Sequence, residues 1–497
     1  MGMDISRRGV VQGGAAVGAA LALGGVVAGS APVAARADEG ETAAADVLVI
    51  GGGLGGCLAA YCAARDGAKV TLVEAGSELG GTMLMAMGGI MNNGLNSVED
   101  IDTVAPSADR AMAENYVAKW PALAELLEGD EGLPNVTFNE DWGLYIVGSD
   151  YATRKEFFDF FASYLESHES QVVLDARAFE LVVDDQGTVA GAKVERKVDG
   201  SVETLAARAV VLACGSYVND PAMCQQYLGH YGDQMLPRAT PYNRGDGHKM
   251  AAALGAEFTR GMGRYYGNVI PYPSIIPTDV EEYDAFDKDL AHTLLTAVGS
   301  AVSTGIVVNL EGVRFTDESS SHIMSGPCQM AIDLPKQTMG HGFLIIDSAS
   351  SSYDSVLALA ENGAVVVTAD TLEELADSLA SRGVRKDALL RTVEEYNTAE
   401  PAEFAVRHSA REAGTAEPLV NGPFLAIQVG GGSSEFFGGV RIDNDGRVLG
   451  RGGIAIPHLY ATACCAGGMM YDEYLGSLGF AATTGMTAGT TAAAELA

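Results

Sequence analysis

The stretch Asp46-Val-Leu-Val-Ile-Gly-Gly-Gly-Leu-Gly-Gly56 decides how the rest of this chain is interpreted. Residues 47–50 are a short β-branched run of the kind that forms a buried parallel strand. The run leads directly into glycines spaced Gly-x-Gly-x-x-Gly, and the alanine-rich residues 57–65 that follow predict a helix. Glycines at this spacing permit a tight turn and let a pyrophosphate approach the backbone and the helix N-terminus.

A second strand, predicted over residues 69–73, ends on Glu74, whose carboxylate can accept hydrogen bonds from ribose hydroxyls. Strand, glycines, helix, strand and terminal acid within one unit are far more specific than a glycine pattern alone. The unit therefore predicts a dinucleotide site. Its contacts are expected at Gly51, Gly53, Gly55, Gly56, Glu74 and Ala75.

Composition limits the classes of function. The chain has 497 residues, of which 47% are hydrophobic and 19% charged, so it is long enough for two or three globular domains. Its net charge of −34 argues against binding to nucleic acid or to anionic lipid. The same charge permits a positively charged protein partner such as a cytochrome, although an acidic, solvated surface explains it better.

The cysteines do not indicate a disulfide framework or a haem. Seven cysteines stand at irregular spacings, and no Cys-x-x-Cys-His motif is present, so no haem c is expected on this chain. No metal site is predicted.

The N-terminus predicts a targeting segment over residues 1–37. Ser6-Arg7-Arg8 is a twin-arginine pair, residues 9–35 carry no charge, and Ala35-Arg36-Ala37 fits an Ala-x-Ala cleavage site. The uncharged run is mostly Gly and Ala, which is typical of a Tat signal rather than of a membrane anchor. We therefore expect export by the Tat translocase to a periplasmic or other extracytoplasmic location, with no further membrane-spanning stretch.

Further along the chain, strand and helix patterns alternate and predict an α/β fold. Strands are expected at residues 172–174, 178–184, 189–196, 209–216, 424–429, 438–442 and 459–462, and helices at 107–128, 153–167, 371–381, 387–397 and 478–496. The sequence pattern changes between residues 280 and 436. This middle block is predicted to interrupt a Rossmann-like nucleotide-binding domain formed by residues 38–279 and 437–497.

A loop rich in methionine and glycine follows the dinucleotide unit at residues 80–91. Its methionines fit two interpretations equally: they fill the core, or they form the soft wall of a flat apolar pocket.

Several motifs together resemble the flavoprotein subunit family of fumarate reductase and succinate dehydrogenase, in particular its soluble exported reductases and 3-ketosteroid dehydrogenase relatives. The resemblance covers about residues 46–494. It rests on Val49-Ile-Gly-Gly-Gly-x-Gly-Gly, Gly80-Gly81-Thr82, Val210-Val-Leu-Ala-Cys-Gly-Ser-Tyr-Val-Asn219, Gly245-Asp246-Gly247, Val308-Asn-x-x-Gly-x-Arg-Phe315, Ala369-Asp-Thr-Leu-Glu-Glu-Leu375 and Gly438-Gly439.

The resemblance implies FAD bound in an extended form, with the middle block as an α+β capping domain over the flavin. It adds Gly80, Gly81, Thr82, Gly88, Gly89, Ala213, Cys214, Gly215, Asp246, Ser477 and Leu478 to the expected FAD contacts. By analogy, the start of the C-terminal helix faces the N1/O2 edge of the flavin, where its positive end stabilises the reduced form.

The residues that bind fumarate in the family are replaced in this chain. The family's catalytic arginine falls on His322, its Thr-Glu-x-x-Arg proton path on Ala297, Val298 and Ala301, its histidine before Gly-Gly on Glu435, and its late arginine on Tyr474. Cys464-Cys465, expected to be inert, stands where Gly-Glu is usual. The sequence thus predicts a site with at most one conditional positive charge, at His322, and a substrate other than fumarate.

The remaining candidates for catalysis are His322, Tyr474, Tyr265, Tyr266 and Glu435. A phenol can polarise an enone oxygen or deliver a proton, and tyrosines have this role in the ketosteroid relatives that the chain resembles. Each candidate also has a plain interpretation: a solvated loop histidine, packed tyrosines, or a salt-bridged carboxylate.

The sequence therefore predicts an exported FAD-dependent reductase of activated C=C bonds in anaerobic respiration, fed by an external donor such as a cytochrome. Two alternatives remain at this point: a 3-ketosteroid-type dehydrogenase that runs the same step in reverse, and a non-catalytic flavin electron carrier.

Overall fold

The computed structural model describes residues 35–36, 45–128, 133–140, 143–316, 318, 327–398 and 418–497. Helices and sheets are both extensive, so the α/β class expected from the sequence is confirmed. The predicted targeting segment lies outside the described residues, apart from Ala35 and Arg36, which form a short strand.

The strands are β1 (Ala35–Arg36), β2 (Ala45–Ile50), β3 (Val70–Val73), β4 (Gly89–Met91), β5 (Val136–Asn139), β6 (Leu144–Val147), β7 (Gln171–Val173), β8 (Ala176–Val183), β9 (Val189–Arg196), β10 (Val202–Leu212), β11 (Leu236–Pro237), β12 (Tyr265–Pro271), β13 (Ile306–Val308), β14 (His341–Asp347), β15 (Val366–Ala369), β16 (Phe424–Phe436), β17 (Arg447–Gly450) and β18 (Ile454–Ala461). The helices are α1 (Leu54–Arg65), α2 (Val98–Val104), α3 (Arg110–Glu128), α4 (Tyr151–Ser167), α5 (Pro221–Leu228), α6 (Asp246–Ala253), α7 (Val280–Asp284), α8 (Lys288–Val302), α9 (Pro327–Asp333), α10 (Tyr353–Ala358), α11 (Leu372–Ala380), α12 (Lys386–Thr398) and α13 (Ser477–Leu496).

A parallel core of five strands, in the order β18-β10-β2-β3-β7, forms the centre of the largest sheet. Val49 is paired with Val211 on one side and with Leu72 on the other, and all three are fully buried. Strands buried on both faces need apolar side chains at every position, which explains the unbroken β-branched run of β2. The antiparallel pair β8-β9 extends this sheet beyond β10.

A second sheet of six strands is arranged around the long strand β16, which pairs with β11, β12, β14 and β15. Its strands β11 and β12 come from before residue 280. This sheet therefore contains strands from both sides of the domain boundary expected at residue 280. The division of the chain at 280 and 436 stays a prediction.

Two local expectations have clear outcomes. Thr371 caps α11 in the expected capping box, in which the Glu374 backbone N–H donates to Thr371 Oγ1. The prediction of a strand over residues 438–442 is wrong, because only isolated β-bridges form there. The backbone at Gly438 and Gly439 instead lies tightly against neighbouring loops, where a Cβ atom at Gly438 would be 2.2 Å from the Met262 nitrogen.

Helices α1 and α13 contact each other through faces that have no side chain between them. A Cβ atom added at Gly485 would lie 2.3 Å from the Gly55 oxygen, and one at Gly489 would lie 2.1 Å from the Ala59 oxygen. The glycines therefore set the distance between the two helices. Within the described part of the chain, no helix combines the length and the apolarity that a membrane span requires.

We predict that Gly489→Ala lowers the free energy of unfolding by about 1–3 kcal/mol, because the added methyl group overpacks a backbone contact that cannot relax cheaply. A urea or thermal unfolding curve measures the change. Gly299→Ala is the matched control, since a Cβ atom on Gly299 in helix α8 meets nothing within 4 Å. The control substitution should leave the free energy of unfolding unchanged or raise it slightly, because alanine has a higher helix propensity than glycine. Equal midpoints for the two variants would contradict the close contact between α1 and α13.

Candidate active site

A cavity of about 580 Å³ lies at the carboxyl ends of β2, β3 and β10. The N-terminal ends of α1, α6 and α13, the segment at residues 80–91, and parts of β12 and α8 complete its wall. Ligands of open α/β sheets bind at the carboxyl ends of the parallel strands, and this volume is typical of a ligand site.

The first glycine turn leaves the N-terminus of α1 open to this cavity. The N-cap position is Gly53, and no side chain accepts hydrogen bonds from the first turn of the helix. The glycines have different tasks: a Cβ atom on Gly56 would lie 1.8 Å from the Gly51 oxygen, whereas one on Gly53 would meet nothing closer than 4.0 Å. Gly56 thus permits the turn itself, and Gly53 keeps space free for a ligand phosphate.

Glu74 is fixed at the end of β3 by the backbone of two loops. The Gly52 N–H donates to Oε2 at 2.6 Å and the Gly76 N–H donates to Oε1 at 2.7 Å. Burial raises the pKa of this carboxyl, and the backbone hydrogen bonds oppose the shift. A carboxylate held in this way is placed to accept from the hydroxyls of a ribose.

A second open helix end contributes to the same cavity. Helix α13 begins after Gly476, which has φ of +99° and no side chain to cap the helix, and the first turn has no acidic residue. Ser477 and Leu478 line the cavity. Free N–H groups and the positive end of the helix dipole favour a ligand with negative charge here, as expected for the anionic edge of a reduced flavin.

All the residues that the sequence predicts as FAD contacts line this cavity except Gly56, which lies behind the turn. Asp246 differs from its expected role in one respect: both of its oxygens are engaged by Arg177, at 2.7 and 2.6 Å. Arg177 lines the cavity as well and was not predicted. The open helix ends, the glycine surfaces and the fixed Glu74 all fit FAD. The residues that would hold it are therefore those of the two glycine turns and of the start of α13.

The methionines after the first glycine turn fit both interpretations that the sequence left open. Met83, Met87 and Met91 line the cavity, whereas Met85 is fully buried among the side chains that cover the second sheet.

Two of the predicted tyrosines lie together on the cavity wall. The rings of Tyr266 and Tyr474 stack with 4.3 Å between their centroids, and both residues line the cavity. The Ser477 backbone N–H donates to Tyr474 Oη at 3.2 Å, which leaves the phenol proton available for a ligand. Burial raises the pKa of Tyr266 to about 12 and also raises the pKa of Tyr474. Both phenols therefore keep their protons near neutral pH.

Glu435 lies beside this pair, with both carboxyl oxygens engaged. Ser477 Oγ donates to one oxygen at 2.7 Å and Ser434 Oγ to the other at 2.9 Å. Burial raises the pKa of Glu435, and the two hydroxyls and the charge of Arg238 oppose the shift.

The other predicted catalytic residues are not brought to the cavity. Tyr265 points to the opposite face of β12, is 4% exposed, and packs edge-to-face on Phe436. The pairing of β12 with β16 is irregular between Tyr265 and Gly267, and of the two tyrosines there only Tyr266 lines the cavity. His322 lies outside the described residues, and its role stays a prediction.

The positions that match the family's proton path face away from the cavity. Ala297, Val298 and Ala301 belong to α8, and their side chains are buried in the apolar core. The cavity is lined instead by Leu295, Thr296, Gly299 and Ser300 of the same helix.

Of the two cysteines expected to be inert, Cys465 is buried and Cys464 is half-buried. Cys464 lines the cavity, and burial together with the charge of Glu435 raises its pKa. The Cys214 backbone N–H donates to Cys465 Sγ at 3.2 Å. With its raised pKa, the Cys464 thiol carries little thiolate and is a poor nucleophile.

Sequence reasoning missed Arg238 and Asn268, which line the cavity close to the tyrosine pair. The expectation of at most one conditional positive charge is therefore wrong, because the guanidinium of Arg238 is a permanent cation. Its only sequence signal is its position, shortly before the Gly245-Asp246-Gly247 turn. No strand pattern surrounds it, so nothing in the sequence shows which way its side chain points.

Comparison with known proteins gives consistent results. A family model described as FAD binding domain matches residues 46–477. The chain is 25% identical over 477 residues to urocanate reductase of Eggerthella lenta, an alignment that covers 89% of this chain and 73% of that protein. It is 24% identical to vinyl phenol reductase of Lactiplantibacillus plantarum, with 86% of this chain and 91% of that protein covered. Among solved structures, the open conformation of a flavocytochrome c3 fumarate reductase superposes with a TM-score of 0.70 at 22% identity, covering 92% of this chain and 79% of that one.

We predict that Gly53→Leu gives a folded protein that no longer binds FAD. Its φ of −73° suits any residue and the protein atom nearest to its Cβ position, the Gly80 oxygen, is 4.0 Å away, but the side chain would occupy the space of the pyrophosphate. Flavin absorbance and chromatography of the released cofactor, after reconstitution with FAD or FMN, measure the loss. Gly56→Ala should instead impair folding. A wild-type protein that folds well and stays colourless with FAD would refute the site.

Proposed function

Because the chain belongs to the fumarate reductase/succinate dehydrogenase flavoprotein family and is an FAD-dependent oxidoreductase acting on carbon–carbon bonds, we propose that it reduces an activated C=C bond of a small conjugated substrate other than fumarate. Two of the relatives are, by name, a urocanate reductase and a vinyl phenol reductase, which supports a conjugated substrate. The single observation that carries the proposal is the pair of protonated phenols, Tyr266 and Tyr474, on the wall of the FAD cavity.

When bound and reduced, FAD supplies the hydride for the β-carbon of the alkene. The chain supplies the proton for the neighbouring carbon, and Tyr474 is suited to this task. Its oxygen already accepts a hydrogen bond from the Ser477 N–H, so its own proton points to a ligand, and its raised pKa keeps that proton in place until a carbanion-like centre develops. Tyr266 stacks on Tyr474 and holds the ring orientation.

The charges near the tyrosine pair argue against a dicarboxylate. Two buried carboxylates need two matched cations, and an unmatched buried charge costs several kcal/mol. Among the described residues that line the tyrosine end of the cavity, Arg238 is the only permanent cation, and Glu435 adds repulsion when it is ionised. A neutral or singly charged substrate is therefore preferred.

The two rival functions predict different spectra. A dehydrogenase would bleach its oxidised flavin with saturated ketones, whereas a reductase reduced by dithionite would be reoxidised by enones or unsaturated acids. A non-catalytic carrier would do neither. A cavity that continues beyond the glycine turns to a wall of tyrosines and helix α8 favours a substrate site over a carrier.

We further propose that the chain is exported by the Tat pathway and receives electrons from an external donor, such as a positively charged cytochrome. The twin arginines at residues 7 and 8 and the net charge of −34 support these proposals.

We predict that Tyr474→Phe lowers the rate of reoxidation of reduced enzyme by roughly 10²–10⁴-fold, the range expected for a lost proton donor, with FAD still bound. Stopped-flow absorbance with a panel of enones and unsaturated acids measures the rate. The neighbouring variant Tyr265→Phe should retain activity, because Tyr265 packs away from the cavity. If Tyr474→Phe keeps the full rate, the proton comes from another group, and His322→Ala becomes the next variant to test.

For export, we predict that the double variant Arg7→Lys, Arg8→Lys accumulates inside the cell as a precursor that carries FAD. Fractionation and the flavin spectrum of the retained protein measure this. Export equal to wild type would show that the twin-arginine assignment is wrong.

A further inference from the structure

Arg238 is a buried cation without a buried counter-charge. It is 5% exposed, its Nη2 donates to the Met85 carbonyl at 3.2 Å, and its Nε has no hydrogen-bond partner. In the described part of the chain, no carboxylate oxygen lies within 4 Å of its guanidinium nitrogens, although such pairs form elsewhere, for example between Arg154 and Asp289. An uncompensated guanidinium in such a site is unfavourable until an anion binds.

The closest acid does not fill this role. Glu435 is the acid whose charge acts on Arg238, yet its oxygens are taken by the hydroxyls of Ser434 and Ser477. The two side chains also start from neighbouring strands, since the Arg238 N–H donates to the Ser433 carbonyl at 2.8 Å. The sheet therefore fixes Arg238 and Glu435 apart and leaves the guanidinium facing the cavity.

A second polar atom on the same wall lacks a partner. Asn268 is 7% exposed and lines the cavity, and its Oδ1 makes no hydrogen bond. Buried polar atoms in folded proteins almost always have partners, so two such atoms in one cavity indicate a ligand that supplies them.

The expected position of FAD does not explain this cation. The pyrophosphate belongs at Gly53, the ribose at Glu74 and the anionic flavin edge at the start of α13, where the helix N-terminus supplies positive charge. The Arg238 backbone lies beside Tyr266 instead, because the Arg238 N–H donates to the Ser433 carbonyl and Ser433 Oγ donates to the Tyr266 carbonyl. Arg238 therefore lies with the tyrosine pair, at the end of the cavity where the substrate reacts.

We propose that Arg238 binds the single carboxylate of the substrate, so that the substrate class is an α,β-unsaturated monocarboxylic acid. The inference rests on the proposed function and makes its substrate specific. The guanidinium pairs with the carboxylate, and Asn268 Oδ1 accepts a hydrogen bond from a donor group elsewhere on the substrate. A dicarboxylate would leave its second charge unmatched, and a neutral ester would leave Arg238 unmatched.

The same contact promotes the reaction. As hydride adds to the β-carbon, the π electrons of the alkene move onto the α-carbon and the carboxylate, and the guanidinium stabilises this additional negative charge. Tyr474 then gives its proton to the α-carbon and regains one from solvent. The net change is addition of one hydride and one proton to the alkene, and reduced FAD loses two electrons.

The test compares matched acids and methyl esters on the oxidised holoenzyme. The probes are trans-cinnamate, crotonate and fumarate, and the methyl esters of the first two, with binding measured by calorimetry and by the change in flavin absorbance. Wild type should bind at least one acid roughly 10- to 100-fold more tightly than its ester, the range of a charge-assisted hydrogen-bonded pair. Fumarate should bind more weakly than that acid.

Arg238→Gln should abolish the preference for the acid and leave ester binding unchanged, and Arg238→Lys, which keeps the charge, should retain part of it. Arg385→Gln is the matched control, since the Arg385 side chain is 69% exposed and lies 3.7 Å from Glu311. Should Arg238→Gln fail to fold, Arg238→Lys alone still tests the inference. Lysine lacks the planar, bidentate guanidinium, so this variant should bind the acid roughly tenfold more weakly and the ester unchanged.

Three results would overturn the inference: no acid binds to wild type, the ester binds as tightly as its acid, or both Arg238 variants keep the full preference. A shift in flavin midpoint potential in Arg238→Gln without a change in acid preference would also overturn it, because Arg238 would then serve the flavin. Failure of the proposed function gives a different pattern. In that case no acid, ester or enone reoxidises the reduced enzyme, whatever the binding data show.

Discussion

The close contact between helices α1 and α13 is the constraint on which the cofactor site depends. Both helices begin at the cavity, and the backbone contacts at Gly485 and Gly489 fix their separation with no side chain to adjust it. Two helix N-termini without side-chain caps are thereby held on one cavity. Each presents unpaired N–H groups and a positive dipole end, so one molecule with a pyrophosphate and an anionic ring edge can engage both.

Charges in the cavity are arranged unequally. At the dinucleotide end, Glu74 is held by backbone N–H groups and Asp246 by Arg177, so these acids are satisfied before any ligand binds. At the tyrosine end, Arg238 has one carbonyl partner and no counter-charge among the described residues. The first end is prepared for the neutral hydroxyls and amides of a cofactor that stays bound. At the tyrosine end, the positive charge of Arg238 is balanced only when an anionic ligand binds.

The structure places nearly all the residues predicted for the dinucleotide half of the site on one cavity, because each sequence signal there is local. The glycines Gly51 and Gly53 and the terminal acid Glu74 lie within one strand–turn–helix–strand unit, whose spacing fixes their geometry. The substrate half depends on which face of a strand or helix a residue occupies. Tyr265 and Tyr266 are adjacent in sequence, yet one packs in the core and the other lines the cavity. Which of the two side chains faces the cavity depends on how β12 pairs with β16, and no local sequence pattern reveals this pairing.

For Arg238, too, local sequence does not reveal where the side chain points. In this case the position has a chemical consequence. It follows the two-residue strand β11, and its backbone is held by β16, which also carries Glu435. Because neighbouring strands are held by backbone hydrogen bonds, the distance between the two charged groups is set by the sheet rather than by a mobile loop. A rigid cation that is kept apart from its nearest acid can be neutralised only from the cavity. With a neutral occupant the guanidinium stays unpaired, and with a dianion one charge remains in excess, so the sheet geometry itself selects for a single negative charge.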